Sequence, residues 1–176
     1  TNMIKWMDEH KEAAIAGCHL VGKDGKTVPH VRKFPTLFDQ LAVILKIPHL
    51  LPFVLNGYLR KGFNYEREAE VDSMRGSFFM IRTETLKRVG LFDENYFLWF
   101  EEVDYCQRAR KKGFKVMYTP AAKCVDLVGA SFSQIKRRTT QNYFRDSMLK
   151  YFRKWHPAWQ YWILRIVWPI GMFLAR

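Results

Sequence analysis

A chain of 176 residues with 48% hydrophobic and 16% aromatic residues is long enough for one domain with a sizeable core, and too apolar for intrinsic disorder. Lys and Arg outnumber Asp and Glu by 29 to 17, and the net charge of +12 asks for an anionic counterpart: nucleic acid, anionic lipid or a diphosphate substrate. Cys18, Cys106 and Cys124 have neither zinc-site spacing nor the pattern of a disulfide framework, and read as buried free thiols in a reducing cytoplasm.

Met3-Ile4-Lys5-Trp6-Met7 reads as the late turns of a helix. Ala13 to Val21 is a buried strand, and Lys23-Asp24-Gly25-Lys26 a hairpin turn into a second strand from Thr27 to Phe34. Phe38 to Leu59 is apolar but broken by Pro48 and Pro52; it either packs on the core, the favoured reading, or touches a bilayer. Gly62 to Glu70 is charged and loop-like. Val71 to Arg82 is expected as one strand, Thr83 to Val89 as a short helix closed by Gly90, and Phe114 to Tyr118 as another strand.

Between Asp93 and Asp104 five acids (Asp93, Glu94, Glu101, Glu102, Asp104) crowd into a basic chain. Phe100, Val103 and Cys106 recur at helical spacing, Arg108, Arg110, Lys111 and Lys112 fill the following turns, and Gly113 is placed to end the helix in the left-handed conformation. Acids first and bases last complement the helix dipole, so capping alone accounts for the charge order. It does not account for the aromatic run Tyr96 to Phe100 leading into Glu101. Spacing alone favours capping; the alternative is a general base, a carboxylate at the lip of an aromatic wall held ionised by a helix N-terminus.

Arg75-Gly76-Ser77-Phe78-Phe79-Met80-Ile81-Arg82, Val89-Gly90-Leu91-Phe92-Asp93-Glu94 and Phe100-Glu101-Glu102-Val103-Asp104 follow one another in that order, with Arg108 and Gly113 behind them. Tyr118-Thr119-Pro120 and Gly129-Ala130-Ser131 come next. This succession resembles the family 2 glycosyltransferases, in particular the rhamnosyltransferase-like members, strongly from Val71 to Ser131 and weakly from Ala14 to Thr36 through Gly25 and Arg32-Lys33-Phe34-Pro35. The resemblance implies an α/β fold, the C-terminal part of a GT-A (Rossmann-like) mixed sheet with C-terminal amphipathic helices. It implies sugar transfer from a nucleotide-sugar donor to an acceptor hydroxyl, with inversion, on a glycan or lipid-linked acceptor of the cell envelope. Glu102 would be the catalytic base, Glu101 and Asp104 would orient it or hold the acceptor, and Arg75, Gly76 and Ser77 would line the acceptor cleft. For Arg108 a salt bridge to Glu101 or Asp104 along the helix is preferred.

The chain departs from the family in two places. Glu102 stands where an Asp is frequent, and Asp126 where a His serves some members as a metal ligand. Asp126 is therefore a candidate ligand for Mg or Mn, or an ordinary polar residue after a strand. No D-x-D and no glycine-rich phosphate loop occur in the sequence. A missing nucleotide-binding N-terminal half is expected to hold most of a divalent metal site, which would leave the 176 residues inactive by themselves.

Residues 1–140 are read as the acceptor-side part of the catalytic domain and 141–176 as a basic, aromatic tail. Asn142 to Lys154 has an apolar and a basic face. Trp159 to Ala175 is interrupted by Arg165 and Pro169, and the unbroken apolar run after Arg165 is too short to span a bilayer. With four tryptophans the tail suits an anionic membrane surface on the cytoplasmic side; docking on the catalytic domain is the alternative. A rival class is a non-enzymatic basic module binding anionic membrane or nucleic acid through Gln134-Ile135-Lys136-Arg137-Arg138. Nucleic acid is not the expected partner, because the charge is spread along the chain and no recognition motif is present.

Overall fold

A computed structural model describes residues 2–129 and 135–174. Ala130 and Ser131 of the glycine-serine element, and Gln134 of the basic run, lie outside the described residues.

The first helix, α1 (Asn2–Glu9), leads into strand β1 (Ala13–Val21), which is buried on both faces. Ala16, Cys18 and Leu20 pack with Met3, Trp6 and Met7 of α1, while Ile15 faces the opposite core. Covering both sides of a strand is what a parallel neighbour in an α/β sheet requires. That neighbour is β6 (Lys115–Val125), parallel to β1 over most of its length. Two-residue strands β3 (Ala69–Glu70) and β5 (Met80–Ile81) add antiparallel edges, giving a mixed sheet of order β3-β6-β1-β5. A separate ribbon pairs β2 (Val31–Arg32) with β4 (Ser73–Met74). The result is the mixed α/β architecture expected of part of a GT-A-like fold.

The turn at 23–26 forms as read, closed by Gly22 N–H to the Lys26 carbonyl at 2.8 Å. The strand expected after it shrinks to an isolated bridge at Thr27 and to β2. Val71 to Arg82 is likewise not one strand. β4 belongs to the ribbon and β5 to the sheet, so residues 75–79 must cross between them, and the Arg75 N–H bonds the His30 carbonyl at 3.1 Å on the way. β6 runs well past Tyr118, because Pro120 stays within the strand.

Helix α2 (Leu37–Ile44) starts in a reciprocal capping box between Thr36 and Asp39, which satisfies backbone donors that a helix start leaves free. The segment after it turns through a short 3-10 element (Ile47–His49); Ile44 and Leu55 are buried, whereas Leu50, Leu51 and Phe53 are exposed. Helix α3 (Thr83–Val89) closes at Gly90, and α4 (Glu101–Lys111) carries its acids in the first turn and bases in the last. Gly113 follows with φ 81°, the left-handed conformation expected of it.

The last two helices, α5 (Arg137–Trp155) and α6 (Ala158–Leu174), dock on the domain. The boundary drawn after residue 140 falls inside α5. Met148, Tyr151, Phe152 and Leu164 join Ile44, Tyr96 and Phe100 in one buried cluster. Burying side chains such as Met148, Phe152 and Leu164 contributes roughly 1.5–3 kcal/mol each, enough to hold the tail on the domain. Gly171 is required where α6 crosses α2, since a Cβ there would lie 2.5 Å from the Ile44 carbonyl oxygen. Trp159, Trp162, Ile166, Ile170 and Phe173 form an exposed stripe at helical spacing on α6. No helix of the described residues is long and apolar enough to cross a membrane.

Candidate active site

Glu101 and Glu102 reach their positions through an unusual turn. Trp99 and Phe100 both adopt left-handed backbone, with φ 61° and 65°, immediately before α4. For bulky residues this costs on the order of 1–2 kcal/mol each, and it persists only where packing enforces it. Here α5 supplies the packing. The Phe100 ring sits 5.4 Å from that of Tyr151 and 5.7 Å from that of Phe144, Trp99 packs edge-on to Phe144 at 5.8 Å, and Ser147 Oγ donates to the Leu98 carbonyl at 2.6 Å. The aromatic run is thus the anchor of a strained turn that presents the first two residues of α4 to a cavity.

That cavity, of about 460 Å³, is lined by the β2–β4 ribbon (Arg32, Ser73, Met74), the crossing segment (Arg75, Gly76, Ser77), Trp99, Glu101, Glu102 and the residues after β6, including Asp126. The structure therefore brings together Glu102, Glu101, Arg75, Gly76, Ser77 and Asp126, of which Arg75 and Asp126 are 51 residues apart in sequence. Gly76 lies directly beside Glu102: a Cβ there would be 3.8 Å from the Glu102 Cβ. Arg75 Nη1 donates to Asp126 Oδ2 at 3.0 Å, and Ser77 Oγ donates to the same oxygen at 3.1 Å.

Both glutamates have a buried Oε2 without a hydrogen-bond partner. Burial raises the Glu101 carboxyl above its ordinary value. Burial, reinforced by the Glu101 charge, pushes Glu102 up to about 7, against the opposing pull of backbone N–H groups at the helix start and of Arg75. The expectation that the helix N-terminus keeps this acid firmly ionised is thereby corrected, because desolvation outweighs the helix end. A carboxyl titrating near neutrality on a residue that lines a cavity is equipped to accept a proton.

Asp104 is placed elsewhere. It is fully buried and does not line the cavity. Its Oδ2 accepts from Arg108 Nε at 2.8 Å; its Oδ1 accepts from Trp155 Nε1 at 2.7 Å and Lys154 Nζ at 2.9 Å. Arg108 continues to the carbonyls of Val89 and Leu91, and Lys154 to Asp93 Oδ2 at 2.8 Å. Asp104 thus ties α4 to α5 and to the loop before it. The expected salt bridge of Arg108 is to Asp104, not to Glu101.

Asp126 shares its carboxylate with a guanidinium and a hydroxyl, and among the described residues no group of three or more His, Cys, Asp or Glu could hold a metal ion. These side chains do not fit a metal cage by themselves. The cavity also contains residues that the sequence does not assign to the site: His30, Arg32, Tyr58 and Trp99. His30 Nδ1 pairs with the Val28 carbonyl at 2.9 Å while its buried Nε2 lacks a partner, and burial lowers its basicity. Arg32 had a signal in the Arg32-Lys33-Phe34-Pro35 stretch; nothing in the sequence tied it to Glu102, seventy residues away.

A family model described as glycosyltransferase-like family 2 matches residues 59–158, which include the crossing segment, α4 and the cavity-lining residues other than His30, Arg32 and Tyr58. The chain belongs to that family. Among curated proteins, rhamnosyltransferase WbbL of Escherichia coli K12 is 33% identical over 126 residues, covering 67% of this chain and 42% of that relative. N-acetylglucosaminyl-diphospho-decaprenol L-rhamnosyltransferase of Mycobacterium tuberculosis is 30% identical over 105 residues, 57% of this chain and 33% of that relative. A low-salt glycan biosynthesis hexosyltransferase, Agl10 of Haloferax volcanii, matches over 46 residues at 33% identity, 26% of this chain and 15% of that relative. The chain spans less than half the length of these relatives. No solved structure matches it.

Proposed function

We propose that this chain forms the acceptor side of an inverting glycosyltransferase that moves a sugar, a deoxyhexose such as rhamnose or a hexose, from a nucleotide-sugar to a hydroxyl of a lipid-linked or cell-envelope glycan. The observation that carries the proposal is Glu102 itself, a residue that lines the cavity beside Arg75, Gly76 and Ser77 and whose carboxyl burial raises to about 7, in a glycosyltransferase-family chain. The acceptor hydroxyl gives its proton to Glu102 as its oxygen bonds to the anomeric carbon. The bond from that carbon to the diphosphate breaks on the opposite face, and its electron pair leaves with the diphosphate. General-base assistance of this kind supplies about 10²- to 10⁴-fold in rate. Glu101 and Ser77 are positioned to hold acceptor hydroxyls, and Arg75 is held in place by Asp126. A divalent ion remains an expectation attached to the D-x-D element that this sequence lacks, and the proton step is derived without it.

The same reading places the enzyme at the inner face of the cell membrane. The exposed aromatic and aliphatic stripe of α6, beside the basic residues of α5, has the character of an interfacial helix, and a lipid-linked acceptor, as in the name of the mycobacterial relative, would be met there. The test is to incubate the intact protein with a panel of nucleotide-sugars and a lipid-linked glycan acceptor and to determine product stereochemistry by NMR. A glycoside of inverted anomeric configuration supports the proposal. Retention of configuration, or steeply salt-dependent nucleic-acid binding with no sugar transfer, refutes it.

A further inference from the structure

Between α5 and α6 runs a groove of about 530 Å³ that shares no residue with the Glu102 cavity. Leu149 and Trp168, both half-buried, give it an apolar lining, while Arg145, Lys150 and Arg153 of α5 and Arg165 of α6 bring cations to it from both helices. Asp146 is the one acid lining it among the described residues, and it accepts from Arg145 Nε at 2.8 Å, which leaves both terminal nitrogens of Arg145 over. Asp93, in the hollow next to the groove, is taken by Lys154 at 2.8 Å. Lys150 donates to the Asn95 carbonyl. Arg153 is exposed and has neither a hydrogen bond nor an ion pair among the described residues. Four cations therefore meet one carboxylate here, and that carboxylate is already shared.

The groove borders the exposed apolar stripe of α6. Arg165 and Pro169 line the groove, and each stands three residues from a member of the stripe, Trp162 and Ile166, so the two surfaces share an edge along the helix. Arg165 bridges that edge: its Nη1 donates to the Tyr161 hydroxyl, inside the groove, at 2.9 Å, and its guanidinium lies 5.4 Å from the Trp162 ring centre. A basic helix face that meets only water needs neither an apolar lining nor a second helix. A free phosphate makes no use of Leu149, Trp168 or the stripe, and a nucleic-acid duplex offers no hydrocarbon to lay along Ile166 and Ile170. An anionic head joined to apolar chains matches both surfaces at once, because an arginine fork pairs with phosphate oxygens and an interfacial helix takes the hydrocarbon.

We propose that the groove between α5 and α6 is a headgroup site for an anionic phospholipid, with Arg145, Arg153 and Arg165 holding the phosphate and the acyl chains lying along the stripe of α6. The inference rests on the membrane-surface part of the proposed function and deepens it from a diffuse attraction to a site with a stated ligand. The lipid is a docking partner and takes no part in sugar transfer. Because α5 also packs against the Trp99–Phe100 turn, the helix that grips the lipid is the one that holds Glu102 in place.

The test is titration of the 176-residue chain with soluble dihexanoyl-phosphatidylglycerol, with inorganic phosphate and with a DNA duplex. Flotation on phosphatidylcholine vesicles with and without phosphatidylglycerol accompanies it. Saturable binding of the short-chain lipid is expected, with inorganic phosphate far weaker. The double substitution Arg153→Gln and Arg165→Gln should weaken binding of the short-chain lipid and of the anionic vesicles at least about tenfold. Lys23→Gln with Lys87→Gln removes the same charge from exposed lysines off the groove, and should stay within about twofold of wild type. Thermal denaturation of each variant establishes that it is folded. The proposal is overturned if the folded wild-type chain does not bind the short-chain lipid, if the two double variants behave alike, or if phosphate or the duplex binds as tightly as the lipid. Vesicle binding that survives loss of Arg153 and Arg165 but not Ile166→Glu with Phe173→Glu keeps the membrane reading and sinks the headgroup site alone. A chain that takes the short-chain lipid but no vesicle sinks the membrane reading, and the docking role with it.

Discussion

Glu102→Gln is expected to make the chain more stable at pH 8 and to leave it unchanged near pH 4. Glu102 titrates at about 7 in the folded chain against an ordinary 4.5, and burial is the main cause. The folded state therefore holds this proton more tightly than the unfolded state does. Between the two values the native chain binds more protons, so its stability falls as pH rises through that window, and above about 7 the whole penalty is present. At about 1.4 kcal/mol per tenfold change in proton affinity the rise is equivalent to roughly 3 kcal/mol, and relaxation around the charge lowers the realised figure to roughly 1–3 kcal/mol. Glutamine has nearly the shape of the protonated acid and carries no charge at any pH, so it removes this penalty. For a domain of this size the gain is a rise in Tm of about 3–10 °C at pH 8. Urea or thermal denaturation of both proteins at pH 4 and pH 8 is the assay. Equal stability at pH 8, or a Gln variant less stable there, would show that Glu102 is not held in a desolvated site and would remove the reason to treat it as the base.

The pH profile of kcat/KM for the intact enzyme should show an acidic limb near pH 7, activity rising as Glu102 loses its proton, and a profile flat down to pH 5 would contradict that assignment. Asp104→Asn should destabilise the chain by about 3 kcal/mol in urea denaturation, since it leaves Arg108 without its buried counter-charge and Lys154 with Asp93 alone, and a change below about 1 kcal/mol would mean the network is not structural. The chain should co-sediment with anionic vesicles, and the double substitution Ile166→Glu and Phe173→Glu on the exposed stripe should reduce binding at least about tenfold while the fold is kept; equal partitioning of the two proteins would make α6 a packing element only.

Local signals were read well where a few consecutive residues decide the outcome. The charge order and Gly113 located α4, Gly90 closed α3, and the continuous apolar run of β1 marked a strand covered on both sides. The misreadings share one cause, contacts between distant segments. Nothing within Val71–Arg82 says that its two ends pair with different partners, so one strand was expected where the chain crosses from ribbon to sheet. Asp104 looked like its neighbours Glu101 and Glu102 until Lys154 and Trp155, about fifty residues on, were seen to enclose it. The protonation of Glu102 was misjudged for the same reason: the helix start is visible in sequence, whereas the depth of burial depends on the ribbon, on Gly76 and on the docking of α5. The tail's two faces were legible as basic and apolar, but the pattern could not say that the inner apolar residues hold the strained Trp99–Phe100 turn.

The central claim is that Glu102 takes the proton of the acceptor hydroxyl. Its most direct test is single-turnover transfer by the intact enzyme carrying Glu102→Gln, with donor affinity measured alongside. The account predicts turnover lowered by about a hundredfold or more with donor binding nearly unchanged, as for loss of an interaction made only in the transition state. Near-normal turnover in the Gln variant would contradict it.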